Sequence, residues 1–188
     1  MASSITMTVP PAETPISLGE VKDRLHLDDN DEDLKLLAYI QAATAYAQEY
    51  TWSQLVSATY VERFDCGFPC IIVPQKAPLV SVTTLAYVDS AGSTQTLTAN
   101  TDYLVDAYSR PGRIYQAYNQ YWPSTRGFKQ DVTLTYVAGY GTPADVPDEI
   151  REAIMMKVEA LASDCDGTEA IDKAIHALLD LRSFRVFY

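Results

Sequence analysis

The densest set of metal-capable side chains in the sequence is the run Asp28-Asp29-Asn30-Asp31-Glu32-Asp33. A calcium loop needs oxygen ligands at alternate positions. Placing Asp29, Asp31 and Asp33 on that pattern puts Leu34 where a glycine must turn the chain and Ile40 where a bidentate glutamate belongs. The run reads instead as acid at a helix start, where carboxylates meet exposed amides and the positive end of the dipole. Cys66 and Cys70 are spaced C-x3-C, Cys165 stands alone, and His26 and His176 lie far off, so zinc has no ligand set and no metal is assigned. Gly139-Tyr140-Gly141 lacks the lysine and serine or threonine of a phosphate loop, and a turn with positive φ accounts for it. Nucleophilic catalysis needs Ser, Cys or Thr beside a base, and neither histidine is near a G-x-S-x-G elbow. With 25 acidic residues some carboxylate pair is always close in space, so pairing identifies no acid–base catalyst. No catalytic residue, no cofactor site and no enzymatic activity are expected.

Chemistry being absent, the elements and the charge carry the reading. A chain of 188 residues, 47% hydrophobic and 21% charged, folds as one domain or one domain plus a lobe. Residues 1–15 are small and polar with Pro10-Pro11 and no apolar signal core, and are expected to be a flexible arm. The longest apolar run, Leu34 to Ala47, is interrupted and too short for a membrane span, so no membrane partner is expected. The odd cysteine count suits a reducing cytosol. Residues 1–50 carry 3 basic and 9 acidic groups, residues 51–140 carry 6 of each, and residues 141–188 carry 5 and 10. The ends are acidic and the middle neutral, and a pI of about 4.5 without a basic run excludes a generic DNA binder.

Ser17 and Glu20 have the form of a capping box, and Leu18, Val21 and Leu25 follow at helical spacing, which predicts a helix over 17–26. A second helix is predicted over 31–50. Its stripe Leu36, Ile40, Ala43, Ala47 and Tyr50 is continuous, while Leu34, Leu37, Ala38, Ala42, Ala45 and Tyr46 cover other faces. So much apolar surface needs a central position or a neighbouring subunit, and the stripe is assigned as a subunit interface. From residue 56 the period becomes alternating, with Val56, Ala58, Tyr60 and Phe64 on one face. Strands are predicted there and at 70–73, 80–88, 94–98, 103–105, 113–116 and 131–137. Pro147, Asp148 and Glu149 start a third helix with the stripe Ile150, Ile154, Val158 and Leu161. Thr168 caps a fourth containing Ile171, Ile175, Leu178 and Leu179. The expected fold class is α+β: a helical bundle from residues 16–54 and 141–182, an inserted antiparallel β lobe over 55–140, and a tail at 183–188.

Tyr115, Tyr118, Tyr121 and Trp122 place four aromatics in eight residues, a candidate partner surface, since such rings bury large area while keeping a polar handle. A stacking platform for carbohydrate would use the same rings.

The order of these parts resembles the tailed-phage head-tail connector family, also called adaptor or head-completion proteins. The resemblance rests on Ile16-Ser17-Leu18-Gly19-Glu20-Val21-Lys22 with Leu25, Asp31 to Asp33, and Ala42-Ala43. It continues in Tyr136-Val137-Ala138-Gly139-Tyr140-Gly141, Val146-Pro147, Arg151, Ala153-Ile154, and Leu178-Leu179 with Arg182. It spans roughly 16–182 and is weakest near 105–130. It implies a homo-oligomeric ring, usually of twelve subunits, in the neck of a virion assembled in the host cytoplasm. Such a ring sits below the portal protein and above a stopper or tail-terminator protein, with double-stranded DNA passing through its channel without specific binding. An acidic lumen fits that passage because it repels phosphate. The tail residues Arg182, Phe184, Arg185, Phe187 and Tyr188 are by default a frayed end; in the family such an extension often docks onto the portal, and arginines and aromatics are the anchors for it. The alternative from another class is a virion tail binding module that recognises a receptor or glycan through the β lobe.

Overall fold

A computed structural model describes residues 3–163 and 168–183. The chain divides into two compact units, a β unit of Met1–Pro10 and Ser57–Gly139 and a helical unit of Pro11–Val56 and Tyr140–Tyr188. With four helices and antiparallel sheets, the fold class is α+β.

In the helical unit, α1 (Leu18–Leu25) begins at the capping box read from sequence: the Glu20 amide donates to Ser17 Oγ at 3.2 Å and the Ser17 amide to Glu20 Oε2 at 2.7 Å. His26 ends it in the left-handed region at φ 56°. α2 (Asp33–Thr51) follows the acidic turn, where Lys22 Nζ reaches Asn30 Oδ1 at 2.6 Å and Asp33 Oδ1 at 2.9 Å. α3 (Asp148–Ala162) starts after Pro147, and α4 is Thr168–Asp180. Their apolar stripes converge in one core of Ile16, Val21, Leu36, Ile40, Ile150, Ile154, Val158, Ile175 and Leu179, with Ala43, Ala47 and Ala153 allowing close approach. No described helix is long and apolar enough to cross a membrane.

The β unit holds the strands β1 (Ser3–Val9), β2 (Ala58–Phe64), β3 (Leu79–Val88), β4 (Thr94–Leu97), β5 (Tyr103–Asp106), β6 (Arg113–Gln116) and β7 (Val132–Ala138). Five form an antiparallel sheet in the order β1-β2-β7-β3-β4, and β5 pairs with β6. β7 is the central strand, and Val132, Leu134, Tyr136 and Ala138 alternate inward at full burial. Ala58, Tyr60, Phe64, Leu79 and Leu85 complete the inner face, and Tyr103 of β5 and Ile114 of β6 join the same core.

Two expectations change. The arm expected over residues 1–15 does not hold for Ser3–Val9, which pairs antiparallel with β2 from Ser3↔Phe64 to Val9↔Thr59. Its Ser-Ile-Thr-Met-Thr-Val alternation is strand-like, and Pro10 ends it because proline cannot donate to a ladder. The strand expected at 70–73 is a loop held by one isolated bridge, Ile72↔Ile114. The prolines at 69 and 74 bound too few residues for a ladder.

Candidate interaction surfaces

The stripe assigned to a subunit interface is the chain's own core. Leu36, Ile40, Ala43 and Ala47 are buried in the helical unit, where α3 and α4 supply the cover the sequence left open. Tyr50 is half-buried; its ring stacks on His176 at 4.9 Å and its hydroxyl donates to Asp180 Oδ1 at 2.8 Å. Tyr46 completes this clasp between α2 and α4, its hydroxyl 2.5 Å from His176 Nε2. Leu36, Ile40, Ala43 and Ala47 are thus covered by the chain itself, and Tyr50 is half-covered by α4.

What α2 leaves outside is its second apolar face. Leu34 is 85% exposed, Leu37 38% and Trp52 64%, and Ala38, Ala42 and Ala45 are exposed with them. Between Lys35 and Glu49 the helix has no charged residue on any face. Trp52 follows its last turn at φ 56°, a left-handed conformation rarely given to a bulky side chain.

The other helices carry ion pairs on their solvent faces. Arg24 of α1 bonds Glu159 at 2.6 Å and Glu152 at 2.9 Å on α3, Arg151 of α3 bonds Glu20 of α1, and Lys157 of α3 bonds Asp172 of α4 at 3.0 Å. The backbone amide of Ser17, and then Arg151, hold the Glu20 carboxyl below its ordinary range.

In the β unit, Tyr118, Tyr121 and, in the β5–β6 turn, Tyr108 are almost fully exposed, and Tyr115 is partly so. Trp122 does not join them. Its ring stacks on Phe68 at 4.7 Å and Nε1 donates to the Cys70 carbonyl at 3.3 Å, so it pins the 66–70 loop. The outward face of the sheet is formed by rows of small and β-branched side chains, such as Thr59–Val137–Ser81 and Val61–Thr135–Thr84.

A residue that sequence reading passed over is Glu62. Its parity on β2 is that of Ala58, Tyr60 and Phe64, so alternation turns it inward, where it is 1% exposed. It accepts the Gln75 amide at 3.1 Å and the Tyr136 hydroxyl at 3.4 Å. Burial raises its pKa against those bonds, and burial pushes the Tyr60 hydroxyl up to about 12. This buried carboxyl, bonded to a loop amide and to the Tyr136 hydroxyl, ties the 74–78 loop to the sheet.

Among the described residues no three His, Cys, Asp or Glu side chains converge as a metal site would require. Of the docking residues assigned to the tail, Arg182 donates to Glu149 Oε1 at 3.0 Å and so is tied to the start of α3. Phe184, Arg185, Phe187 and Tyr188 lie outside the described residues.

The family model for phage gp6-like head-tail connector proteins matches residues 15–77, which cover α1, α2 and β2. A chain in the virion of the native gene transfer agent (GTA) particle superposes with a TM-score of 0.76 at 22% identity, over 97% of both chains. A chain in the neck of the empty particle, computed with C6 symmetry, gives 0.76 at 24% over 98% of this chain and 97% of that one. One in the neck of the native particle, computed with C12 symmetry, gives 0.73 at 24% over 100% and 98%. Comparison with curated proteins gives no match. The chain thus resembles the phage gp6-like head-tail connectors over residues 15–77 and has, along its whole length, the fold of a chain of the gene transfer agent neck.

Proposed function

We propose that the chain is a structural connector subunit of a virion neck, one copy of a ring that joins head to tail and continues the DNA channel. The observation that carries this reading is the shared fold: neck chains of a phage-like particle match over almost their full length, and the connector family matches where α1 and α2 lie. The C6 and C12 symmetries under which those necks were computed favour a ring, with twelve copies the natural number. Charge supports the channel. All of the net charge of −11 belongs to the helical unit, and acid facing a lumen repels phosphate, so that DNA slides without being held. The portal protein on one side and a stopper or tail-terminator protein on the other are the partners such a ring requires. The tail beyond Arg182 supplies arginine and aromatic anchors for the portal.

Electron microscopy of the purified chain mixed with portal-bearing heads tests this. A closed ring collinear with the portal is expected. Failure to bind heads, together with glycan binding by a monomer or trimer, would instead favour a tail recognition module using the exposed Tyr108, Tyr118 and Tyr121. Deleting residues 183–188 is expected to leave the fold intact and to weaken binding to isolated portals. Unchanged binding would sink the docking role of the tail.

A further inference from the structure

We propose that the outer face of α2, from Leu34 to Trp52, is the surface on which a second copy of this chain packs. The proposal rests on the ring reading and names its subunit contact. Three observations carry it.

The first is a contrast within the helical unit. α1, α3 and α4 present ion pairs to solvent, whereas α2 presents Leu34, Leu37, Ala38, Ala42, Ala45 and Trp52 with no charge between Lys35 and Glu49. A solvated helix face gains nothing from such a surface. Large side chains stand at both ends, with Ala38, Ala42, Ala45 and the uncharged Gln41 exposed between them, a face that a ridge of another subunit can pack against.

The second is Trp52. Glycine or asparagine ordinarily occupies a left-handed position at a helix end, and a bulky side chain there is strained. At φ 56° and 64% exposed, Trp52 leaves most of its surface outside the chain's own packing, and tryptophan is enriched among residues that dominate binding energy.

The third is charge, and it selects the occupant. The helical unit holds 19 acidic and 8 basic residues. A basic partner would be met by that acid, and a face built for it would carry carboxylates. Two copies of the same acidic chain repel, so the patch where they touch must be cleared of charge. The outer face of α2 is the part of an acidic surface from which charge has been removed.

The test is sedimentation velocity of the full chain over a concentration series, repeated on portal-bearing heads, for the wild type and for Leu34→Glu, Ala42→Glu and Trp52→Gly. These side chains are exposed, so circular dichroism is expected to show unchanged folds. Trp52→Gly relieves the strained backbone, so its monomer should melt no lower than the wild type. Each variant is expected to assemble at least about tenfold more weakly. Wild-type assembly should strengthen with added salt, because screening reduces repulsion between acidic copies while an apolar contact is unaffected. Wild-type rings with equally good rings from all three variants, or assembly that collapses as salt rises, would overturn the α2 contact and leave the connector reading standing. A wild type that stays monomeric both alone and on portal-bearing heads would overturn the connector reading and this contact with it.

Discussion

The helical unit holds 19 acidic and 8 basic residues, whereas the β unit holds 6 of each. The helical unit closes its core with aliphatic side chains and alanines from four helices, and the β unit closes its own with Tyr60, Phe64 and Tyr136 from the five-stranded sheet and Tyr103 from β5. Their carboxylates differ as well. Glu20, at the surface of the helical unit, is held ionised by the Ser17 amide and by Arg151, while Glu62, inside the β unit, is pushed towards its neutral form by burial. One chain therefore keeps its net charge on one unit and its buried aromatic core in the other, and each unit is sensitive to different insults.

The largest effects should come from cavities. Ile154→Ala in the helical core and Leu134→Ala in the β core are each expected to cost about 2–5 kcal/mol in denaturant unfolding, since both side chains are fully buried. Native-state hydrogen exchange should show the loss of protection concentrated in the unit that holds the cavity; equal loss across both would break the division drawn above.

A pair of charge-removing variants sharpens the comparison at smaller amplitude. Glu62 has a raised pKa in the fold, so its contribution to stability is greatest at low pH and is lost as pH rises through the folded value. Glu62→Gln should therefore gain stability relative to the wild type at pH 8, with the gain fading towards pH 4. Glu20 has a lowered pKa, so its contribution is present above the ordinary carboxylate value and is lost as pH falls through the folded one. Glu20→Gln should lose stability at pH 7 and approach the wild type in acid. Chemical denaturation across that pH range decides both, and parallel curves for the two variants would remove the contrast. The smallest effect belongs to Tyr118→Ala: the side chain is 97% exposed, so stability should change by less than about 0.5 kcal/mol, and any larger change by the same measurement would assign the ring a packing role.

Sequence reading reached the helices and most strands because local chemistry announces them. Ser17 and Glu20 fixed the start of α1, Pro147 with Asp148 marked α3, and the alternation from Val132 to Ala138 marked the central strand. Positive φ at Gly139 and Gly141 matched the turn expected there. It failed where the answer depended on which face met which neighbour. Periodicity showed that α2 was apolar on two sides, but not that Leu36, Ile40, Ala43 and Ala47 were the side α3 and α4 cover. β1 was missed because its partner β2 lies some fifty residues along the chain. Trp122 was misplaced because its stacking on Phe68 joins segments with no local signal. Glu62 was within reach: its parity on β2 already placed it among inward-facing side chains.

The bridge between Val56 and Gly141, with the Tyr140 amide bonded to the Leu55 carbonyl at 2.9 Å, makes the helical unit separable by design. The two chain ends created by removing residues 57–139 lie side by side, so a linker of a few glycines could rejoin them without stretching either helix. A shortened gene encoding residues 11–56 and 140–188 would then carry the whole acidic surface and the outer face of α2 in a miniature protein.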